Sequence, residues 1–105
     1  MQYHAHIYFD TPQLAQAAQL HKELSRLPVQ LGRIFARPIG PHPKPMFQVV
    51  FPETDYSIMR NWLNAHRQDL DVLLHKETGD HLKDHTVETE WLGNPQNLRL
   101  EIFKE

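Results

Sequence analysis

The chain has 105 residues, eight of them histidine, a formal net charge of -2 and no cysteine. Such a length corresponds to one domain, so residues 1–105 are predicted to form a single domain with its own core. Because cysteine is absent, disulfides, iron–sulfur clusters and thiolate ligands are excluded, and any metal must bind nitrogen or oxygen.

The first predicted element is a strand over residues 3–9, in which the side chains alternate in character. The alternation places His4, His6 and Tyr8 on one face and an apolar set on the other. Residues 10–12 then supply a capping oxygen and a first-turn proline for an amphipathic helix that continues to Leu27.

Three more strands are predicted at residues 29–36, 46–51 and 71–75, and the proline-rich segment 37–45 is a stiff loop. A second helix begins near residues 54–55 and carries on one side Ile58, Met59, Trp62, Leu63 and His66. Residues 76–97 are polar and rich in turns, with a packing anchor at residues 91–93. Residues 98–103 alternate and are predicted to form an added edge strand or a dimer-forming arm.

This order of elements is typical of the split βαβ pattern. We therefore predict an α+β, ferredoxin-like sandwich, with an antiparallel sheet, two helices on one face and a C-terminal extension. No apolar segment approaches the roughly 18 residues of a membrane helix, no export signal precedes the first strand, and no basic run suits phosphates. We expect a cytoplasmic protein without a membrane or nucleic-acid partner.

The predicted topology brings distant histidines together. The first strand is central and antiparallel to the fourth, so His4 should lie near His75 on the face that the helices leave open. His4 and His6 would be about 6 to 7 Å apart, close enough to reach one ion. The loop after the fourth strand would add His85 and the carboxylates of Asp84 and Glu88.

Neutral imidazole is the commonest protein ligand for transition metals, so the pattern favours a metal site. Two imidazoles with a carboxylate suit Fe(II), whereas three imidazoles suit Zn(II) equally well. A His-x-His pair alone fits a solvated strand, but its convergence with His75 and His85 favours a function. His42 is expected at the opposite end of the sheet, where it serves another subsite or hydrogen-bonds a proline turn.

Three segments in this order resemble the DOPA 4,5-dioxygenase family: Tyr3-His4-Ala5-His6-Ile7-Tyr8-Phe9, Gly40-Pro41-His42-Pro43, and Leu73-Leu74-His75 through Thr78-Gly79-Asp80 to Asp84-His85-Thr86, followed by Trp91-Leu92-Gly93. The resemblance covers nearly the whole chain and implies the ferredoxin-like fold. For the characterised fungal members it implies extradiol cleavage of a catechol such as DOPA by Fe(II) and O2. Lys76 follows His75 where the family is expected to have proline.

The resemblance also implies roles for individual residues. His6, His75 and His85 are expected to be metal ligands or close neighbours, and His85 is also a candidate catalytic residue. His4 is expected to be a ligand or an acid/base group, and His42 to bind substrate. Glu88 or Asp84 would supply the carboxylate of a facial triad. Fe(II) is the expected cofactor, with Zn(II) or another divalent metal as the alternative, and the expected partners are a small aromatic substrate, O2 and a second copy of the chain.

Two other classes of function stay open at this point. The same histidines would support a zinc-dependent hydrolase or isomerase. Alternatively, a non-catalytic dimeric module would hold a small aromatic ligand on the open sheet face. RNA-recognition domains share the strand order, but residues 46–51 lack their basic-glycine-aromatic signature.

Overall fold

The alternating pattern of the N-terminal segment produces the central strand of the sheet. The computed structural model describes residues 1–87 and 89–103, and within them it contains one five-stranded antiparallel sheet. The strands are β1 (Gln2–Tyr8), β2 (Gln30–Leu31), β3 (Met46–Pro52), β4 (Asp71–Glu77) and β5 (Glu90–Leu92). Their order is β2-β3-β1-β4-β5, which confirms the predicted α+β class with a ferredoxin-like strand arrangement.

Two long helices cover one face of this sheet. They are α1 (Leu14–Leu24) and α2 (Tyr56–His66), and a short helix α3 (His81–Asp84) follows β4. The apolar face of β1 and its counterparts on β3 and β4 pack with the inner faces of α1 and α2 in one core. None of the helices among the described residues is long and apolar enough to cross a membrane.

The second strand is much shorter than predicted. Only residues 30 and 31 pair as a strand with β3, and Phe35 makes an isolated bridge to Met46. Gly32 lies just after β2, and its carbonyl oxygen accepts a hydrogen bond of 2.8 Å from His21 Nε2 of α1. Glycine weakens the interior of a strand. In addition, the Gly32 carbonyl bonds the helix and is not used to continue the pairing with β3.

The added edge strand lies at residues 90–92 and not at 98–103, so that prediction was wrong. β5 pairs with β4 from Val72 to Leu74, and the segment named as a packing anchor is therefore part of the sheet. The Asp71 carboxylate accepts hydrogen bonds from Asn94 N (2.8 Å) and Gln96 Nε2 (2.7 Å), which turn the chain after β5. Residues 100–103 form a 3-10 helix instead, and just before it Arg99 N donates a hydrogen bond to Pro41 O at 2.7 Å.

The predicted apolar side of α2 needs one correction. Met59 and Leu63 are buried, but Ile58 is 71% exposed. Successive helix residues are rotated by about 100°, so a buried stripe centred on Met59 and Leu63 turns Ile58 towards solvent.

Leu63 and Ile58 have side chains of the same size, one buried and one exposed, and together they give a matched test of the core. Leu63 is fully buried, and we expect Leu63→Ala to lower the free energy of unfolding by about 2 to 5 kcal/mol through lost burial and a cavity. Ile58→Ala should change it by less than about 0.5 kcal/mol. Urea unfolding monitored by circular dichroism measures both, and equal losses would contradict the arrangement of α2.

Candidate metal centre

Five histidines meet on the open face of the sheet. They line a cleft of about 210 Å³, which is bounded as well by Pro41, Gln48 of β3, Glu77, His81 and Phe103; the five clustered histidines are His4, His6, His42, His75 and His85. Their sequence separation extends from residue 4 to residue 85, so only the folded chain assembles them. No histidine that the sequence assigned to the site falls outside the cleft.

The pair at the centre of the cleft is His6 and His75. β1 and β4 pair with His4 opposite His75 in the register, which confirms that the start of β1 lies beside the end of β4 and that His4 is near His75. His6 Nε2 lies 2.9 Å from His75 Nε2, and the two side chains are 3% and 1% exposed. Two imidazoles are thus removed from water and face one another through ring nitrogens.

The structure corrects the predicted place of His42. Its ring centroid is 4.2 Å from that of His6 and 5.7 Å from that of His85, so it belongs to the same cleft. The loop between β2 and β3 ends at Met46, which pairs with Tyr8 at the far end of β1, but before this it brings Pro41 and His42 over the open face. Backbone hydrogen bonds fix this return, with His42 N donating to Ile39 O (3.1 Å).

His85 reaches the cleft through polar contacts around α3. The Asp80 side chain caps this helix by accepting from Lys83 N at 3.1 Å. Asp84 is buried and accepts two hydrogen bonds from Thr78, one from the backbone N at 3.0 Å and one from the hydroxyl. Burial would raise the pKa of Asp84, but these hydrogen bonds hold it below its ordinary value.

Carbonyl oxygens determine which nitrogens of two histidines carry hydrogen. His85 Nδ1 donates to His81 O at 2.7 Å, and His75 Nδ1 donates to Lys76 O at 3.2 Å. In the neutral form, each of these rings therefore has its lone pair on Nε2. Since His75 Nε2 then accepts, His6 Nε2 must donate to it, which leaves a lone pair on His6 Nδ1. That atom is buried and has no hydrogen-bond partner among the described residues.

The environment favours the neutral form of four of the clustered histidines, namely His4, His6, His42 and His75. Burial, followed by the neighbouring histidines, lowers the pKa of His6 well below its ordinary value. Burial also lowers the pKa of His42 to about 3 and that of His75 to about 4. For His4 burial outweighs the opposing effect of Glu77, and its pKa is lowered too. Neutral imidazole is the form that binds metals.

Two trios of histidines within the described residues have ligand atoms less than 4.8 Å from one another: His4, His6 and His75, and His6, His42 and His85. The predicted set of His6, His75 and His85 is therefore divided between them, with His6 in common. Glu88, the predicted carboxylate ligand, lies outside the described residues. Asp84 uses its oxygens on Thr78, and Glu77 Oε2 lies 3.4 Å from His4 Nε2.

Sequence reasoning overlooked two aromatic residues at this site. Tyr8 was placed on the histidine face but given no role, and its hydroxyl lies 2.6 Å from His42 Nδ1. Phe103 packs against His81 and His85 with ring centroids 5.8 and 5.2 Å apart. The i+2 spacing of Tyr8 from His6 was the signal for the first, whereas nothing local to residues 98–103 indicated the second.

Comparison with known proteins identifies the family to which this chain belongs. The family model described as "Dopa 4,5-dioxygenase family" matches residues 3–102. The chain belongs to the Dopa 4,5-dioxygenase family. The matched range contains the positions of all five clustered histidines.

Individual proteins resemble this chain to different extents. The DOPA 4,5-dioxygenase of Amanita muscaria is 29% identical over 94% of this chain and 48% of its own length. An uncharacterised 21.2 kDa protein of Botryotinia fuckeliana is 32% identical over 72% of this chain and 46% of its own. The chain thus spans about half the length of these curated relatives. A crystal structure from Nostoc punctiforme, of a protein proposed to be a dioxygenase, is 43% identical, with a TM-score of 0.93 over 98% of this chain and 90% of that one.

The lowered pKa values predict how stability depends on pH. His42 and His75 titrate near their ordinary pKa of about 6.5 when unfolded but only near 3 and 4 when folded, so below pH 6.5 the unfolded chain binds more protons. The free energy of unfolding should therefore fall as pH falls from 6.5 towards 5, by up to about 1.4 kcal/mol per pH unit for each such histidine.

Urea unfolding of the metal-free protein between pH 7.5 and 5 measures this slope. We expect His75→Gln to reduce the slope by about the contribution of one histidine, because glutamine does not titrate. Gln48→Ala changes the same cleft without removing a histidine and should keep the slope of the parent. An unchanged slope in His75→Gln would show that His75 is protonated equally in both states.

Proposed function

We propose that the protein is a metal-dependent extradiol dioxygenase that cleaves a catecholic ring, such as that of DOPA, with O2. Family membership supports dioxygenase chemistry. The observation that carries the proposal is the buried, neutral His6–His75 pair at 2.9 Å, surrounded by three more imidazoles. His6, His42 and His75 are buried, and among the described residues none of the three has a carboxylate partner. Burying these polar rings is costly for a domain of this size, and a bound cation offsets this cost.

The donor set fits a divalent transition metal. Two nitrogens bound at about 2.1 Å to one ion at a right angle are about 3 Å apart, close to the separation of the two Nε2 atoms. If an ion replaced the hydrogen bond between the two rings, the hydrogen on His6 Nε2 could move to Nδ1, which has no partner among the described residues. Of the two trios, His4, His6 and His75 contains this pair, and we assign it as the ligand set.

The residues around this trio support its ligands. The carbonyl of Lys76 fixes the tautomer of His75, and the Glu77 carboxylate faces His4. Such outer contacts orient metal-binding imidazoles and raise their basicity. His85 keeps a lone pair on Nε2 through its bond to His81 O, so we assign it the role of accepting a catechol hydroxyl proton.

When bound, Fe(II) supplies Lewis acidity and electron exchange with O2. The protein contributes binding and orientation. Phe103 forms an apolar wall beside His85, against which an aromatic ring can pack. Both oxygen atoms of O2 enter the ring-opened product, so the overall reaction needs no external reductant.

One observation favours a second candidate function. The assigned ligands are all imidazoles, and three imidazoles with an open position suit zinc as well as iron. A zinc-dependent hydrolytic reaction would use the same residues, with His85 as the base. Metal identity and O2 consumption separate the two proposals.

Metal affinity tests the ligand assignment. We expect His75→Ala to weaken Fe(II) binding by about 100-fold or more while the protein stays folded, because it removes one of three ligands. His66 is a matched control. It lies in α2, which packs on the face of the sheet opposite the cleft, and its Nδ1 donates to Trp62 O at 2.7 Å. Anaerobic Fe(II) titration should give equal affinities for His66→Ala and the parent. Unchanged affinity in folded His75→Ala would remove His75 from the ligand set.

The reaction is tested by adding O2 and a panel of catechols, DOPA included, to the anaerobic Fe(II) complex. We expect one O2 consumed per ring opened and the yellow absorbance of a semialdehyde product. His85→Gln should lower kcat by about 10² to 10⁴-fold with Fe(II) affinity retained, because it removes the proton acceptor. Zinc retention with no O2 consumption across the panel would favour the second candidate.

A further inference from the structure

Tyr8 and His42 form a buried dyad beside the proposed metal ligands. Tyr8 is 1% exposed, and its hydroxyl oxygen lies 2.6 Å from His42 Nδ1. The phenol ring packs in a small apolar cluster on the open face, with Met46, Leu73 and the ring of Trp91, whose centroid is 5.7 Å away. These contacts fix the direction in which the hydroxyl points.

The hydrogen-bonding needs of the phenol decide which tautomer His42 adopts. A buried O–H group requires an acceptor, and within the described residues the partner of the Tyr8 hydroxyl is His42 Nδ1. If His42 Nδ1 instead donated to the phenol oxygen, the hydroxyl hydrogen would be left buried without an acceptor. Tyr8 therefore donates to Nδ1, and the neutral ring carries its hydrogen on Nε2.

We propose that Tyr8 is a positioning residue that holds His42 as the Nε2–H tautomer, so that His42 donates a hydrogen bond to an anionic substrate oxygen and is not a metal ligand. With Nδ1 occupied by Tyr8 and Nε2 protonated, His42 has no lone pair for an ion. Of the two histidine trios, the one containing His42 is thereby excluded as the ligand set.

The surroundings of His42 fit a fixed donor. The ring lies beside His6, its backbone N bonds Ile39 O, and the preceding Pro41 O accepts from Arg99 N at 2.7 Å. His42 lines the cleft, and no described residue faces its Nε2 as a hydrogen-bond partner. An oxygen of a catecholate in the cleft would supply the missing acceptor. This role towards substrate rests on the proposed function, whereas the tautomer itself does not.

The tautomer is measured directly by long-range proton–nitrogen NMR of the full chain labelled with ¹⁵N-histidine, without added metal and again with Zn²⁺. We expect His42 to be protonated on Nε2 alone in both samples. Tyr8→Phe removes only the hydroxyl and should give His42 nitrogen shifts intermediate between the two tautomers. Tyr3→Phe is the matched control, because it removes a β1 phenol from the opposite face and should leave the shifts unchanged.

Two NMR outcomes would overturn the inference. The first is a His42 that lacks hydrogen on Nε2, either in the metal-free protein, where it would be protonated on Nδ1, or after Zn²⁺ binds. The second is a Tyr8→Phe variant whose His42 shifts are identical to those of the parent. Since the metal-free spectrum needs neither bound metal nor turnover, a failure of the dioxygenase proposal would leave this result standing.

Kinetics and binding test the role towards substrate. With DOPA and unsubstituted catechol as probes, we expect Tyr8→Phe to raise KM by about tenfold and to change kcat less. The reason is that His42 would no longer be held in the orientation that donates a hydrogen bond to the substrate oxygen. Its Zn²⁺ affinity should stay within about twofold of the parent, because no assigned ligand is altered. A hundredfold loss of Zn²⁺ affinity in folded Tyr8→Phe would instead make His42 a ligand and contradict the proposal.

Discussion

The antiparallel register between β1 and β4 is the constraint on which the rest of the site depends. It puts His4 opposite His75 and His6 opposite Leu73, with all four side chains on the face that the helices leave open. Because side chains alternate along a strand, a slip of one residue would turn the histidines into the apolar core. The apolar residues on the other face of these strands, Ala5, Ile7 and Leu74 among them, prevent this slip by packing under the helices. The core therefore specifies the position of the site without contributing to its chemistry.

Burial gives the cleft its chemical character. His6 and His75 are nearly inaccessible to water, and the resulting fall in their pKa keeps both rings neutral and available as donors of lone pairs. Backbone carbonyls then decide which nitrogen of His75 and His85 holds the proton. A solvated strand bearing the same His-x-His pattern would lack both properties, because water would compete for every ring nitrogen. The difference between a polar strand and a candidate metal centre is thus one of desolvation and tautomer.

Sequence patterns predicted the parts of the site that depend on regular elements. The strand patterns of residues 3–9 and 71–75 are local, so the approach of His4 to His75 followed once the strand order was assigned. The position of His42 could not be predicted in this way, because the return of its loop depends on contacts with distant residues such as Arg99. β5 was overlooked because three residues are too few for a periodic signal, and the alternation of residues 98–103 suggested a strand where tertiary contacts produce a 3-10 helix.

The segment after β4 is stabilised by different forces from the core. His85 depends on α3, only four residues long, which would not persist as an isolated helix. Its stability comes from the Asp80 cap and from the buried Asp84 carboxylate that binds Thr78. Removal of the Asp84 carboxylate, as in Asp84→Ala, would leave Thr78 N without its acceptor and release the backbone that carries His85, while the sheet and both long helices kept their packing. The proposed base is therefore held by charge and hydrogen bonding, and the proposed ligands on β1 and β4 are held by hydrophobic packing, so that the two parts of one site can be perturbed separately.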